Sequence, residues 1–136
     1  MTKILCPTDG SDHATVGVIL AAEVAKATGG HLTVCAVNIA HGGVRGPTIS
    51  HWKKEEVEKL LADAEAVAKN EGAADIGVTE IVAREAAPAI IAYAEQNGYT
   101  HIVMGTGDKR GLQRLVLGSV ASEVATRAHC TVTIAR

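Results

Sequence analysis

Two glycine-bearing stretches hold residue types that could meet a ligand. The first, Pro7-Thr8-Asp9-Gly10-Ser11, packs a carboxylate and two hydroxyls into a turn-forming run. The second runs from Gly105 to Ser119, with Gly105, Gly107, Gly111 and Gly118 set around Asp108, Lys109, Arg110 and Arg114. Glycine exposes bare backbone N–H groups, and a hydroxyl at the start of a helix adds a donor where the helix dipole is positive. Together these suit a phosphate. Glycines also serve plain turns, and the spacing alone leaves both readings open.

Other chemistries lack their residues. No Gly-x4-Gly-Lys-Ser/Thr run occurs, and Gly105-x-Gly107 meets Arg110 where a dinucleotide fingerprint has its third glycine. There is no HExxH pair and no Gly-x-Ser-x-Gly elbow. The third strand ends in Val82-Ala83-Arg84, without the phosphate-accepting aspartate of a receiver domain. His13, His31, His41, His51, His101 and His129 are scattered and read as surface or capping residues. Cys6, Cys35 and Cys130 are odd in number, lack CxxC spacing and lie in or beside apolar runs, which predicts inert reduced thiols. No acid–base pair is brought together by the sequence, so no catalytic residue and no metal ligand is assigned.

The elements that must position these runs alternate along the chain. Lys3 to Pro7 reads as a short strand stopped by proline, and Thr8-Asp9-Gly10 turns into a helix capped by Ser11 and running to about Thr28. That helix is apolar on most sides (Val16, Val18, Ile19, Leu20, Val24), which predicts full cover, and Gly29-Gly30 ends it. His31 to Ile39 is a buried strand. Ala40 to Pro47 has linker composition and reads as a mobile loop, after which Ser50 caps a second helix with Val57, Leu60, Leu61, Ala64, Val67 and Ala68 on one face. Ile76 to Ala83 is a third strand, and Ala86 to Asn97 a third helix with Pro88 in its first turn. His101 to Met104 is a fourth strand. A last helix carries Val120, Ala121, Val124, Ala125 and Ala128, and Thr131 to Ala135 is the last strand. This rhythm predicts an α/β fold, a parallel sheet with helices on both faces. Ligands bind such sheets at the carboxyl ends of the strands, where strand order reverses. The loops after the first and fourth strands are the two glycine runs.

At 136 residues the chain reads as one domain over 1–136. Aromatic residues make up 2% and Phe is absent, so the core must be aliphatic and stacking platforms for single-stranded nucleic acid are disfavoured. A net charge of -2 removes the electrostatic case for a DNA or anionic-membrane partner. Lys53-Lys54-Glu55-Glu56 reads as a solvated first turn. Met1 leads straight into a strand, and no apolar stretch approaches the roughly 18–20 residues that span a bilayer. The expectation is a soluble, cytoplasmic protein.

The opening Ile4-Leu5-Cys6-Pro7-Thr8-Asp9-Gly10-Ser11 and the closing Met104-Gly105-Thr106, with Gly111-Leu112-Gln113-Arg114-Leu115-Val116-Leu117-Gly118-Ser119-Val120-Ala121, resemble the universal stress protein family. The likeness runs end to end, with matching element order and length. It implies a Rossmann-like open five-stranded parallel sheet, order 3-2-1-4-5, commonly paired into a homodimer through the last strand. It also implies a Gly-x2-Gly-x9-Gly-Ser/Thr loop that binds ATP in some members and is lost in others. Carried over by position, Pro7, Asp9 and Val37 would line an adenosine pocket, with Asp9 reaching sugar or base. Met104 would pack on adenine. Gly105, Gly118, Ser119 and Val120 would hold ribose and phosphates through backbone N–H groups and the Ser119 hydroxyl. The implied ligand is ATP, with Mg or Mn, and at most weak hydrolysis. The residues by themselves also allow Asp9 as a turn residue bonded to its own backbone and Ser119 as a plain N-cap.

One departure bears on the ligand. The second glycine of the family loop falls at Asp108, which adds a Cβ and a negative charge where a triphosphate would approach. At about 4 Å one like-charge contact costs roughly 1 kcal/mol in bulk water and roughly 4 at an effective dielectric of 20. Lys109, Arg110 and Arg114 would offset part of this, and a divalent ion could recruit Asp108. Replacing Asp108 by glycine is therefore expected to strengthen ATP binding. Two functions stand side by side: a stress-response regulator that binds ATP or another adenine nucleotide, and a member that binds none and acts as a dimeric interaction module. Thr131, Val132, Thr133 and Ile134 alternate polar and apolar, as an edge strand open to a second copy would.

Overall fold

A computed structural model describes residues 1–107 and 117–136. Along the chain it places β1 (Lys3–Pro7), α1 (Asp12–Thr28), β2 (His31–Gly42), β3 (Thr48–Ser50) and α2 (Lys54–Asn70). Then follow β4 (Ile76–Ala83), α3 (Ala86–Gln96), β5 (His101–Gly105), α4 (Ser119–Arg127) and β6 (Thr131–Ala135). The parallel strands lie in the order β4-β2-β1-β5-β6, which is the expected 3-2-1-4-5 once the parallel strands alone are numbered. The sheet differs from expectation in one strand. The short β3 runs antiparallel to the end of β2, pairing Ala40 with Ser50 and Gly42 with Thr48, so the sheet has six strands rather than five.

The stretch read as a mobile loop is thus a hairpin. Gly42 and Gly43 take φ values of +83° and +88°, which a β-branched or bulky residue resists, and so reverse the chain. Thr48 and Ile49 are β-branched residues that favour the returning strand. This moves the start of α2. Ser50 ends β3 instead of capping the helix, and Lys53 takes the N-cap, its N–H bonded to the Glu56 carboxylate at 2.9 Å.

Alternation along the central strands sends side chains to two cores. Ile4, Cys6, Leu32 and Val34 pack with α1 and α2 on one face of the sheet. Leu5, Cys35, Ile102 and Met104 pack with α3 and α4 on the other. Both cores are almost wholly aliphatic. Helix α1 lies closer to the sheet than its bulky residues suggest. Its buried positions are Ala14, Gly17, Val18, Ala21, Ala22 and Ala25, while Val16 is 37% exposed. The reason is steric: a Cβ on Gly17 would stand 2.7 Å from the Gly105 nitrogen, and one on Gly105 would overlap the His13 carbonyl. Strand order reverses between β1 and β5, so the carboxyl ends of these neighbours open the crevice that holds the candidate site.

Candidate functional site

A cavity of about 370 Å³ lies at that crevice. Its β1 side is Pro7, Thr8 and Asp9, Val37 enters from β2, and Met104 and Gly105 close it from β5. Gly107, Gly118, Ser119 and Val120 complete the side where α4 begins. Eight of the residues assigned by resemblance therefore share one cavity. The ninth, Asp108, lies outside the described residues, as do Lys109, Arg110 and Arg114.

The turn after β1 is built by its own polar groups. Thr8 is buried, its N–H donates to the Cys35 carbonyl at 2.8 Å, and its hydroxyl accepts from the Gly10 N–H at 3.1 Å. The Ser11 hydroxyl donates to Asp9 Oδ1 at 2.5 Å, and the Ser11 N–H reaches the same oxygen at 3.0 Å. Ser11 is also the N-cap of α1. A hydroxyl has one proton, so the 3.0 Å contact between Ser11 Oγ and His13 Nε2 must be an N–H donated by the imidazole. The turn reading of Asp9 thus holds for Oδ1, while Oδ2 has no partner among the described residues, and Asp9 lines the cavity. A hydrolytic triad places the carboxylate on the imidazole and the imidazole on the hydroxyl. Here the carboxylate takes the hydroxyl directly, which orients a turn and does not activate a nucleophile.

At the opposite end, Gly107 takes φ +92°, and a Cβ there would stand 2.8 Å from the Gly118 Cα. The two glycines bring the end of β5 against the start of α4. Gly118, rather than Ser119, is the N-cap; its N–H donates to the Thr106 carbonyl at 2.7 Å and is no longer free for a phosphate. Ser119 is the first helical residue and is exposed. The first N–H groups of a helix have no partner within it. The free donors here are accordingly those of Ser119, Val120 and Ala121, since Ser122 already donates to Gly118. Thr106 is only 2% exposed, and its hydroxyl has no partner among the described residues. A concave backbone surface, a positive helix end and an apolar floor fit a nucleoside phosphate.

Five wall residues escaped the sequence reading, Ala14 of α1 among them. Ala86 and Ile90 come from α3, His13 from the first turn of α1, and Trp52 from the segment after β3. Trp52 arrives through the hairpin. The Cys35 carbonyl points to β1, where it takes the Thr8 N–H, and the Ile39 carbonyl, four residues on, points the same way and takes the His51 N–H at 2.8 Å. The hairpin therefore stands above the end of β1. Asn38, 3% exposed, holds Trp52 from both sides of its backbone: Oδ1 accepts the Trp52 N–H at 2.9 Å and Nδ2 donates to the Trp52 carbonyl at 3.0 Å. The same Nδ2 donates to Glu80 Oε2 at 2.8 Å. The one legible signal was Asn38, a polar residue inside an apolar strand, because buried polar groups are nearly always bonded.

Cys6 and Cys35 are fully buried beneath the site, and burial pushes the Cys6 thiol up to about 12 and the Cys35 thiol further. No group of three or more His, Cys, Asp or Glu is placed to hold a metal ion among the described residues. Nor is any helix among them long and apolar enough to cross a membrane.

The family model for the universal stress protein family matches residues 1–136. Among curated proteins, Universal stress protein MJ0531 of Methanocaldococcus jannaschii is 33% identical over 98% of this chain and 81% of its own length. Among solved structures, a universal stress protein in complex with cAMP is similar at a TM-score of 0.77 and 25% identity, covering 99% of this chain and 96% of that one. The universal stress protein from Archaeoglobus fulgidus in complex with dAMP is similar at 0.73 and 26% identity, over 100% and 98% of the two chains.

Proposed function

The chain belongs to the universal stress protein family, and from that premise we propose that it is a cytoplasmic stress-response regulator that binds ATP or another adenine nucleotide. The observation that carries the reading is the gathering of Pro7, Asp9, Val37, Met104, Gly105, Gly118, Ser119 and Val120 around one cavity at the strand-order reversal. Two similar structures hold adenine nucleotides, cAMP and dAMP, which supports the ligand class. In this reading Asp9 Oδ2 accepts a ribose hydroxyl or a base N–H. The apolar side chains of Val37 and Met104 cover the base. The Ser119 and Val120 N–H groups and the Ser119 hydroxyl take the phosphates. A Mg or Mn ion accompanying ATP would neutralise phosphate charge, and Asp108 is the carboxylate the sequence offers near it.

Calorimetric titration with AMP and ATP, each with and without magnesium, tests the proposal. A ligand at 100 times its Kd stabilises the fold by about 2.7 kcal/mol, so thermal unfolding reports the same event. Binding at or below millimolar concentration is expected; no heat and no thermal shift from either nucleotide would overturn it.

The alternative, a dimeric interaction module without nucleotide, draws on β6. Among the described residues that strand pairs only with β5, and its Val132 and Ile134 side chains pack inward, so its outer edge meets no other described strand. A homodimer through β6 is compatible with either reading. Light scattering should give about twice the 14.0 kDa chain mass, and Val132→Pro should shift the protein towards monomer. A wild-type mass of one chain at micromolar concentration would remove the dimer.

A further inference from the structure

The nucleotide cavity shares a wall with a second one. That second cavity, also about 370 Å³, opens between α1 and α2 and is lined by Val18, Leu60, Ala64 and Val67 with the Lys59–Asp63 ion pair at its mouth. Thr8 and Trp52 line both. Thr8 is small and fixed in the β1 turn, so the bulk of the partition is Trp52.

Trp52 is seated firmly for a residue in a connecting segment. Asn38 clamps its N–H and carbonyl, His51 packs edge-on at 5.0 Å between ring centroids, and the ring rests against the α1–α2 core. It also stands at the far end of the cavity from the anion-binding groups. Ser119 follows β5, whereas Trp52 is held by Asn38 of β2 and stands above the end of β1.

We propose that Trp52 is the specificity-determining wall of the base end: it contacts the purine and closes the nucleotide cavity off from the second one, so that an unsubstituted base fits and one enlarged at its outer edge does not. The proposal rests on the nucleotide reading above. Base–aromatic contact is sequence-tolerant in general, but a rigid partition selects by size. One wall of an apolar pocket discriminates by about 10–200-fold.

The test compares AMP with N6-benzyl-AMP by calorimetry on wild type, Trp52→Ala and Trp52→Phe. Wild type should prefer AMP by at least about tenfold. In Trp52→Ala the two cavities join, AMP affinity should fall about tenfold, and the preference should collapse or invert. Trp52→Phe keeps an aromatic wall and should retain AMP affinity within about threefold while relaxing the preference only in part. Trp52 is the one tryptophan in the chain, so its emission in wild type should change along the AMP isotherm. This measurement and the Phe variant decide the matter if the Ala variant fails to fold. An AMP preference equal in wild type and variants, or AMP heat with unchanged emission, would overturn Trp52 as the wall and leave nucleotide binding standing. Wild type giving no heat with either AMP or ATP would instead remove the nucleotide reading and this inference with it.

Discussion

The two ends of the sheet handle their polar groups in opposite ways. At the amino end they form a closed chain. The Tyr99 hydroxyl donates to Thr33 Oγ1 at 2.7 Å, Thr33 meets His31 Nε2 at 2.8 Å, and His31 Nδ1 meets Asp75 Oδ1 at 2.9 Å. Lys3 Nζ donates to the Asn97 carbonyl at 2.6 Å and lies 4.4 Å over the Tyr99 ring. At the carboxyl end, Asp9 Oδ2 and the first N–H groups of α4 have no partner among the described residues, and Asp9, Ser119 and Val120 line the cavity. Glycines there hold backbone against backbone and leave the cavity lined by bare peptide. The hydrogen-bonded end contributes stability. The open end keeps its bonding capacity for a ligand.

The largest expected break in that division is Gly105→Val. Its side chain would drive α1 off β5 through the His13 carbonyl, because neither backbone can yield without moving its element. A loss of about 3 kcal/mol or more is expected in chemical denaturation, together with loss of nucleotide binding. An unchanged midpoint would show that α1 and β5 do not touch as described.

A second effect belongs to neither end. Cys6 and Cys35 are fully buried in the sheet, and burial raises both thiols above the ordinary value of 9.0. Above pH 9 the unfolded chain releases protons that the folded chain retains, so stability falls as pH rises towards 12. Each thiol should account for about 1.4 kcal/mol of lost stability at pH 10. Cys6→Ala should make the descent shallower by about 1.4 kcal/mol at pH 10 relative to wild type, measured between pH 8 and 10.5 by urea unfolding; an equal slope in both proteins would show that other groups cause it.

Much of the strand and helix framework was legible in the chain because it is local. β4 and β6 fall at the bounds that alternation and turn residues predict, Ile76–Ala83 and Thr131–Ala135. The hairpin over the site was not. Gly42, Gly43 and Pro47 carry linker composition, and only the pairing of β3 with β2 turns them into structure. The cap of α4 shifted by one residue, from Ser119 to Gly118, because tertiary contact with Gly107 outweighed the hydroxyl's preference for that place. The cavity itself draws on β1, α1, β2, α3, β5 and α4, distant in sequence, so the family resemblance assembled its residue set and periodicity did not. Trp52 belongs to that distant kind: Asn38, fourteen residues earlier, positions it, and nothing local to Trp52 marks it.

Ser119→Ala probes the open end alone. The residue is exposed and caps nothing, so stability should stay within about 0.5 kcal/mol. Loss of one hydroxyl donor to a charged phosphate oxygen should weaken AMP binding about tenfold, as a hydrogen bond to a charged group contributes roughly 1.5–3 kcal/mol. Unchanged affinity would assign the phosphates to backbone N–H groups only.

Tyr99→Phe is the matching change at the closed end and the smallest. Tyr99 is 6% exposed, and burial raises its hydroxyl above the usual tyrosine value despite the bond to Thr33. If Nδ1–H of His31 is donated to Asp75, Nε2 accepts from Thr33, and Thr33 in turn accepts from Tyr99, a one-way chain that ends at the phenol. Removing that oxygen takes one donor from Thr33 but leaves Thr33 bonded to His31. The ring still packs on Tyr93 at 5.8 Å and beneath Lys3, so little volume is lost. The cost should be about 1 kcal/mol, the net contribution of one neutral hydrogen bond. Nucleotide affinity should not change, since the phenol lies at the opposite end of the sheet from Asp9 and Ser119. A drop in AMP affinity alongside intact folding would mean that the two ends are coupled through β2, the strand that carries both Thr33 and Val37.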